Sequence, residues 1–301
     1  MNQPILIIGT GALGSLFAAR LAGAGHPVTM LGTWKEGLEA IRRSGVRLID
    51  ANGEEHRYAV YATADPGDVA GARFALVLVK AWQTERAAQQ LAQCLAEDGL
   101  AVTLQNGLGN RETLIQRLDK ERVALGVTTT GANLLEAGRV QAGGEGPISI
   151  ERHPAIGPLR EALKSANFNL QVVEDARSLI WGKLVINSAI NPLTALLKVP
   201  NGELLERPSA RDVMRELASE TARVAAAEGI ELPFPDPVAA AEEVARNTAA
   251  NRSSMLQDIL RGAPTEIDAI CGAIVGIARQ HGLAVPVNWS CWQLVRAIRR
   301  R

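Results

Sequence analysis

One lysine and two asparagines interrupt a mostly apolar stretch in the second half of the chain. Lys183, Asn187 and Asn191 follow one another at intervals of four residues within residues 179–197. On an α-helix each step of four residues advances by only about 40°, so the three side chains share one face. An ammonium and two amides on one face could polarise a carbonyl group, donate a proton to it and hold the molecule that carries it.

A purely structural interpretation of this stripe is equally good when the stretch is taken alone. The remaining positions are apolar nearly all round, which predicts a buried helix. A buried ammonium without a partner is unfavourable, so a carboxylate or several carbonyl oxygens must lie nearby in either case. The rest of the sequence has to decide between the two interpretations.

Length and charge set the first limits. The chain has 301 residues, which exceeds the size at which single cores tend to split, so we expect two domains. Thirty-two basic residues balance 32 acidic ones, which predicts neither a nucleic-acid nor a membrane partner. The one basic cluster, Arg296 with Arg299, Arg300 and Arg301, is interpreted as a solvated helix end.

The cysteines and the N-terminus indicate a cytoplasmic location. The three cysteines are widely spaced and lack a CxxC pair, which predicts neither a disulfide framework nor a zinc site. The N-terminus has no signal-peptide pattern, and no apolar run reaches the roughly 18 residues of a membrane span. We therefore expect a metal-free, soluble, cytoplasmic protein.

Short apolar runs alternate with amphipathic helical segments through about residue 125. Such runs between helices are typical of a parallel sheet that is covered on both faces. Residues 46–50 and 57–61, on either side of an Asn-Gly turn, predict an inserted hairpin, and residues 128–150 predict short strands that close one edge. After about residue 170 helical patterns dominate, with helix ends predicted at Asn191-Pro192, at 200–202 and at 233–237.

A glycine-rich turn directly after the first strand indicates the ligand of the first half. The residues are GTGALG, a GxGxxG pattern that opens a helix: Gly9, Thr10, Gly11, Ala12, Leu13 and Gly14. Glycines there allow a tight turn and close approach of a pyrophosphate to the helix N-terminus. The sequence therefore predicts an α/β fold, with an N-terminal Rossmann-type dinucleotide-binding domain over residues 1–170 and a C-terminal all-helical domain over residues 171–301.

The end of the second strand indicates which nicotinamide binds. An acidic residue that would hold the ribose 2′-hydroxyl of NAD is absent there. Thr33 and Lys35 offer a hydroxyl and an ammonium instead, which favours the 2′-phosphate of NADP, although Lys35 could simply begin a solvated helix. Two further polar residues, Lys80 and Asn106, follow apolar strands where such sheets place their ligand crevice, and we expect both to bind the cofactor.

Hydride transfer to a carbonyl needs a proton donor, which the second half must supply. Its one histidine, His281, lies in a turn after a helix, where a surface or capping role is favoured. Lys183 is therefore the better acid, and its pKa would fall on burial and rise beside a carboxylate. Ser254 and Asn251 could hold a substrate carboxylate, and Glu266 could orient Lys183 or a substrate hydroxyl. All candidate partners lie within 18 residues, and each could equally be a helix cap or part of a solvated face: Asn251, Ser253, Ser254, Asp258, Glu266 and Asp268.

Together these motifs resemble the ketopantoate reductase family over nearly the whole chain. The motifs are GTGALG, KAWQ from Lys80, QNG from Gln105, WGKLVINSAINPLTAL, PNGEL, SSMLQD and TEID. The resemblance implies NADPH-dependent reduction of 2-dehydropantoate to (R)-pantoate, a step toward pantothenate and coenzyme A. It also implies that the partner is a small-molecule 2-keto acid.

The resemblance also implies residue roles. Lys183 would be the proton donor, and Glu266 would touch both the cofactor and the substrate region. The implied substrate-binding residues are Asn187, Asn191, Asn201, Asn251 and Ser254. The implied cofactor residues are Gly9 to Gly14, Lys80, Asn106 and Ala132.

Two departures from the family pattern concern specificity. Thr33 stands where many members carry an arginine for the 2′-phosphate, so NADP preference rests on Thr33 and Lys35, and NAD stays open as an alternative cofactor. Residues 262–264 lack a basic residue that often precedes TEID.

Three other functions and two assembly states stay open at this point. A reductase of another 2-keto acid and a β-hydroxyacid dehydrogenase would use the same lysine and asparagine spacing. A non-catalytic nicotinamide-sensing module would bind the cofactor but leave the stripe unexplained. The long helices are compatible with a monomer or a homodimer.

Overall fold

A computed structural model describes residues 4–298, and its contacts divide the chain into two compact units. The sheet unit comprises Met1–Gln105 and Asn110–Ala176, and the helical unit comprises Asn106–Gly109 and Arg177–Arg301. The predicted fold class is confirmed: a mixed α/β unit is followed by a helical one. Of the basic cluster, Arg299 to Arg301 lie outside the described residues.

Within residues 4–298, twelve strands form two sheets. They are β1 Ile5–Ile8, β2 Val28–Leu31, β3 Val46–Ile49, β4 Glu55–Tyr58, β5 Tyr61–Thr63, β6 Ala72–Val77, β7 Leu95–Thr103, β8 Val123–Thr128, β9 Ala132–Glu136, β10 Arg139–Ala142, β11 Ile148–Glu151 and β12 Leu170–Val173. The main sheet has the order β12-β11-β8-β7-β6-β1-β2-β5, and only the β8/β11 pair in it is antiparallel. A second sheet has the order β4-β3-β10-β9.

The first strand shows why its sequence is apolar at every position. Successive side chains of a strand point to opposite faces. Ile5 and Ile7 join one buried cluster of the sheet unit, whereas Leu6 and Ile8 join another. Both faces are covered, so no polar alternation is tolerated.

The predicted hairpin is present, but the edge of the main sheet differs from the prediction. β3 and β4 pair antiparallel, as expected. Residues 128–150 contribute β11 to the main sheet but place β9 and β10 in the second sheet, where they pack against the first helix. β12 pairs with β11 and forms the edge instead. The local sequence pattern predicted correctly that these residues form strands, but it could not predict which strands pair with one another.

Five α-helices belong to the sheet unit and seven to the helical unit, within the described residues. They are α1 Ala12–Gly23, α2 Lys35–Ser44, α3 Thr84–Cys94, α4 Asn110–Leu114 and α5 Gly157–Ser165, then α6 Arg177–Leu197, α7 Glu203–Glu206, α8 Pro208–Ala227, α9 Pro237–Asn247, α10 Ser254–Leu260, α11 Ala273–Gln280 and α12 Pro286–Ala297. One π-helical turn, Asp268–Gly272, precedes α11.

The α6 helix is the centre of the helical unit. It packs against α8, α9, α10 and α12. Its side chains serve two buried clusters, with Trp181 and Leu184 in one and Val185 and Ile190 in the other.

The helix end predicted at Asn191-Pro192 is wrong, because α6 continues through Pro192 to Leu197. A proline inside a helix cannot donate to the carbonyl four residues earlier, which normally ends or kinks the helix. Here the whole turn is buried. The Thr194 hydroxyl also lies 3.0 Å from each of the carbonyl oxygens of Ile190 and Asn191. Tertiary packing therefore overrides the local signal.

Among residues 4–298 no helix combines the length and apolar character needed to cross a membrane. The three cysteines, Cys94, Cys271 and Cys291, are all buried free thiols.

Candidate active site

The first two residues of the lysine and asparagine stripe are partly exposed on the otherwise buried centre of α6, whereas Asn191 is buried. Between Trp181 and Ala195 every residue is buried except Lys183, Ile186 and Asn187. Packing fixes the helix on its other sides. The partly exposed positions, which form the opening of α6, lie on the face that carries the ammonium and the first amide. A structural ion pair would not need such an opening.

Lys183 has the electrostatics of a proton donor. Burial lowers the pKa of Lys183 from 10.5 to about 8, and the carboxylate of Glu266 opposes that shift. Glu266 is itself only 5% exposed, so little water screens its charge. An ammonium with a pKa near 8 is protonated at neutral pH yet releases its proton more readily than an ordinary lysine.

Glu266 has a second predicted site residue as its partner. The Asn106 side-chain amide donates to the Glu266 carboxylate, with 3.1 Å between Nδ2 and Oε2. Asn106 belongs to the short segment Asn106–Gly109 of the helical unit. The sequence predicts both residues, but the structure brings them together across 160 positions of the chain.

The other end of the stripe gathers residues from three parts of the chain. The Asn201 backbone N–H donates to the Asn251 carbonyl at 3.0 Å. The hydroxyls of Thr194 and Ser253 are 2.7 Å apart, which ties the Asn191 end of α6 to the start of α10. Asn191, Asn201, Asn251 and Ser254 are thus joined through backbone and hydroxyl contacts within one unit.

The two serines at the start of α10 have different roles. Ser253 caps the helix, since its hydroxyl accepts the Leu256 amide at 3.1 Å. Ser254, the first residue of the helix, is exposed. The capping alternative considered for Ser254 therefore belongs to its neighbour, and the Ser254 side chain lies at the surface of the unit.

Asn201 carries a buried acceptor without a partner. The residue is 7% exposed, and its Nδ2 donates to the Thr248 hydroxyl at 2.9 Å. Among the described residues its Oδ1 has no hydrogen-bond donor. Such an atom costs about 1 to 3 kcal/mol of stability, and a hydroxyl of a bound molecule would satisfy it.

In the sheet unit the glycine turn has the geometry that a dinucleotide requires. Gly9 has a φ of 120°, which only glycine adopts readily. A Cβ on Gly14 would overlap with the Gly9 carbonyl oxygen, whereas a Cβ on Gly11 would meet no atom within 4 Å. Two glycines therefore serve the fold, and Gly11 leaves open space before α1.

The helix after this turn offers its first amides to an anion. Gly11 precedes α1, and no side chain caps the helix. Thr10 is buried, while Ala12 and Leu13 of the first turn are partly buried. Uncapped amides at a helix N-terminus bind phosphate oxygens, so these residues fit a pyrophosphate.

The remaining predicted cofactor residues of the sheet unit lie at strand ends or nearby. Lys80 follows β6, which lies beside β1 in the sheet, and it is partly buried. This is the point at which the strand order reverses, where α/β sheets bind their ligands. Thr33 and Lys35 are exposed after β2. Ala132 is different: it begins β9 of the second sheet, which packs against α1.

Two contacts of the site have no signal in the sequence. The sequence does not indicate that the Thr194 hydroxyl contacts Ser253, which lies 59 residues away. Nor does the sequence indicate that Gly107 of the QNG motif contacts Ala269. His281 is exposed and pairs with Glu228, away from this network.

Comparison with known proteins gives matches over both units. The family model described as ketopantoate reductase PanE/ApbA matches residues 5–155, and its C-terminal counterpart matches residues 175–299. A 2-dehydropantoate 2-reductase of Archaeoglobus fulgidus is 39% identical over 98% of this chain and 98% of its own length. One of Halobacterium salinarum is 37% identical over 98% of this chain and 99% of its own length.

Two solved structures are similar along the whole chain. A PanE/ApbA family ketopantoate reductase from Ralstonia eutropha JMP134 superimposes with a TM-score of 0.92 at 33% identity, covering 98% of both chains. A D-mandelate dehydrogenase in a ternary structure with NADH and anilino(oxo)acetate gives a TM-score of 0.91 at 27% identity, covering 98% of this chain and 97% of the other.

Proposed function

We propose, from the premise that the chain belongs to the ketopantoate reductase family, that it reduces 2-dehydropantoate to (R)-pantoate with NADPH. The product leads toward pantothenate and coenzyme A. The partner of the protein is thus a small-molecule 2-keto acid.

The observation that carries this proposal is the opening of α6 at its polar stripe. Lys183 and Asn187 are the polar residues that remain accessible on an otherwise buried helical segment, and the Glu266 carboxylate acts on the lysine. A ketone needs a donor beside its oxygen and groups that hold the rest of the molecule. The stripe supplies both from one rigid element.

Each residue has a defined part in the reaction. NADPH, when bound, supplies the hydride for the ketone carbon. Lys183 donates a hydrogen bond to the ketone oxygen and then transfers a proton to it, so that the C=O group becomes a secondary alcohol and the lysine becomes neutral. Glu266 favours the charged ammonium before the transfer. Water restores the proton on Lys183 after product release.

The asparagines and Ser254 hold the substrate around this centre. Asn187 and Asn191 continue the lysine face of α6, and Asn201 has a buried acceptor that suits a substrate hydroxyl. Ser254 offers an exposed hydroxyl to the substrate carboxylate. These are neutral donors and acceptors, so they orient the substrate without opposing the proton transfer.

In the sheet unit, the glycine turn and Lys80 would hold the cofactor. The space at Gly11 and the uncapped start of α1 support pyrophosphate binding. Thr33 and Lys35, exposed after β2, would contact the 2′-phosphate.

An NADPH oxidation assay against a panel of 2-keto acids tests this function. The panel contains 2-dehydropantoate, pyruvate, 2-oxoisovalerate and an aryl 2-keto acid. We expect the highest kcat/KM with 2-dehydropantoate. No activity on that compound, beside clear activity on another, would reject the substrate and keep the reaction type.

A second candidate is the reduction of an aryl 2-keto acid. The specific observation in its favour is the structural similarity to a D-mandelate dehydrogenase over nearly the whole chain. The aryl member of the same panel separates the two candidates, because only one of them predicts a preference for a flat, bulky side chain.

A further inference from the structure

We infer that the π-helical turn Asp268–Gly272, held between Gly107 on one side and Trp292 on the other, is a positioning device that sets the Asn106 amide against the Glu266 carboxylate. The functional meaning of this inference rests on the proposed function. The contacts themselves all lie within the helical unit.

Gly107 allows the approach of the 106–109 segment to the turn. It has a φ of 81°, and a Cβ placed on it would lie 2.5 Å from the Ala269 carbonyl oxygen and 2.7 Å from the Ala269 Cβ. Both distances are shorter than non-bonded atoms allow, so an alanine at this position would displace the segment from the turn. The next residue completes the contact, since the Leu108 amide donates to the Ala269 carbonyl at 2.9 Å.

The π-helical turn that receives this segment is hydrogen-bonded to the backbone of Glu266 and Ile267, which precede it. The amides of Ala269 and Ile270 both donate to the Glu266 carbonyl at 3.1 Å, and the Gly272 amide donates to the Ile267 carbonyl at 3.0 Å. The last of these spans five residues, the π-helical spacing. Single π turns inside helices are uncommon and frequently lie at functional sites.

Asn106 and Glu266 are therefore placed by neighbouring backbone contacts. Asn106 directly precedes Gly107, and Glu266 lies two residues before the π-helical turn, to which its backbone carbonyl is hydrogen-bonded. The backbone contact at Ala269 fixes both ends of the 3.1 Å hydrogen bond between their side chains. If Gly107 moved away from the turn, the hydrogen bond between the Asn106 amide and the Glu266 carboxylate would lengthen.

Trp292 of α12 holds the turn from another side. Its indole N–H donates to the Asp268 carboxylate at 2.7 Å. A Cβ on Gly272 would lie 3.0 Å from the indole ring, so the ring packs directly on the turn. The Arg296 guanidinium lies over the same ring, 5.4 Å from its centroid.

Other titratable groups of the elements packed against α6 have partners of their own. Glu220 of α8 accepts the backbone amides of Val287 and Asn288, and Glu242 of α9 pairs with Arg211 and Arg215. Asp268 accepts from Trp292. Asp258 of α10 is a further buried carboxylate. Burial lowers the pKa of Lys183 and Glu266 raises it, so the placement of Glu266 affects the charge state of the lysine.

The test compares Gly107→Ala with Gly109→Ala. Gly109 has a φ of 86° in the same segment, but a Cβ on it would meet no atom within 4 Å. Both variants thus carry the strain of a left-handed alanine, and only the first displaces the segment. The readout is the pH dependence of Lys183 acetylation by acetic anhydride, followed by mass spectrometry of the intact, folded protein.

We expect the Lys183 profile of Gly107→Ala to move to lower pH by roughly 0.5 to 1 unit, in the direction of Glu266→Gln. Gly109→Ala should follow the unsubstituted protein. A Gly107→Ala protein that is folded and has an unchanged profile would overturn the inference. If that variant does not fold, Trp292→Phe decides: a shift to lower pH supports the device, and an unchanged profile overturns it.

Acetylation needs neither substrate nor cofactor, so the two proposals fail separately. Absent turnover on 2-dehydropantoate with a shifted Lys183 profile would reject the substrate alone. Normal turnover on 2-dehydropantoate with an unshifted profile in Gly107→Ala would reject the positioning device alone. In the first case the π-helical turn would still position Asn106 and Glu266, but for the reduction of another carbonyl compound.

Discussion

The glycine turn of the sheet unit and the polar stripe of α6 are built in opposite ways. The turn works through missing side chains: Gly9 adopts a φ of 120°, Gly14 packs on the Gly9 carbonyl, and Gly11 leaves open space. The stripe works through side chains on a helix that is buried elsewhere, with a lysine whose pKa is about 8. One region presents backbone amides, and the other presents an ammonium and amides of side chains.

This difference follows from what each ligand part needs. A pyrophosphate is large and charged, and it is bound by several backbone amides that any sequence with glycines in the right places can present. A reacting carbonyl needs one acid with an adjusted pKa at one position. The first requirement is local in the chain, whereas the second depends on distant residues such as Glu266. Substitutions in the glycine turn should therefore change stability or cofactor binding, whereas substitutions in the stripe should lower turnover.

The largest effect is expected from Lys183→Ala. Loss of a general acid lowers turnover by roughly 10² to 10⁴, or about 3 to 5 kcal/mol of transition-state stabilisation. The variant should still fold and bind NADPH, because the glycine turn lies in the other unit. Steady-state kinetics and NADPH titration measure the two properties. Near-normal kcat would remove Lys183 from the role of proton donor.

Two alanine substitutions in the turn should separate folding from binding. Gly14→Ala overlaps with backbone and should destabilise the protein by about 1 to 3 kcal/mol. Gly11→Ala meets no protein atom and should leave Tm unchanged while raising the Kd for NADPH about tenfold, or 1.4 kcal/mol. Thermal denaturation and fluorescence titration provide the data. Equal losses of Tm in both variants would contradict the assigned roles.

The cofactor preference tests the end of β2. We expect a higher kcat/KM with NADPH than with NADH, and Lys35→Ala should reduce that ratio about tenfold, the value of one hydrogen bond to a charged group. Lys198→Ala, another exposed lysine but in the helical unit, is the control and should leave the ratio unchanged. A ratio near one in the unsubstituted protein would show that Thr33 and Lys35 do not contact the 2′-phosphate.

The smallest effect is a shift of a pH profile. If Lys183 is the proton donor, the reduction requires its protonated form, and kcat should fall as the pH rises through about 8. Glu266 raises the pKa of Lys183, and Glu266→Gln removes that charge. The fall in kcat should therefore move to lower pH by roughly one unit. A shift to higher pH, or none, would exclude Glu266 as the group that keeps the lysine charged.

Much of this architecture was predictable from local patterns. The strands of the main sheet, the inserted hairpin and the dinucleotide turn depend on residues close together in the chain. Two local predictions were wrong because contacts with residues distant in the chain override the local signal. Asn191-Pro192 does not end α6, because the turn around Pro192 is buried and the Thr194 hydroxyl contacts Ser253 before α10. Residues 128–150 do not close the main sheet, because β12 pairs there.

The sequence alone determined the residue types and their spacing: glycines after the first strand, and a lysine with two asparagines on one helical face. Tertiary structure alone decided that Glu266 acts on Lys183, that Asn106 donates to Glu266, and that Gly107 meets Ala269. The physical reason is that helical periodicity and turn geometry are properties of neighbouring residues. The pKa of a buried ammonium is instead set by charges and solvent that only the folded chain brings to it.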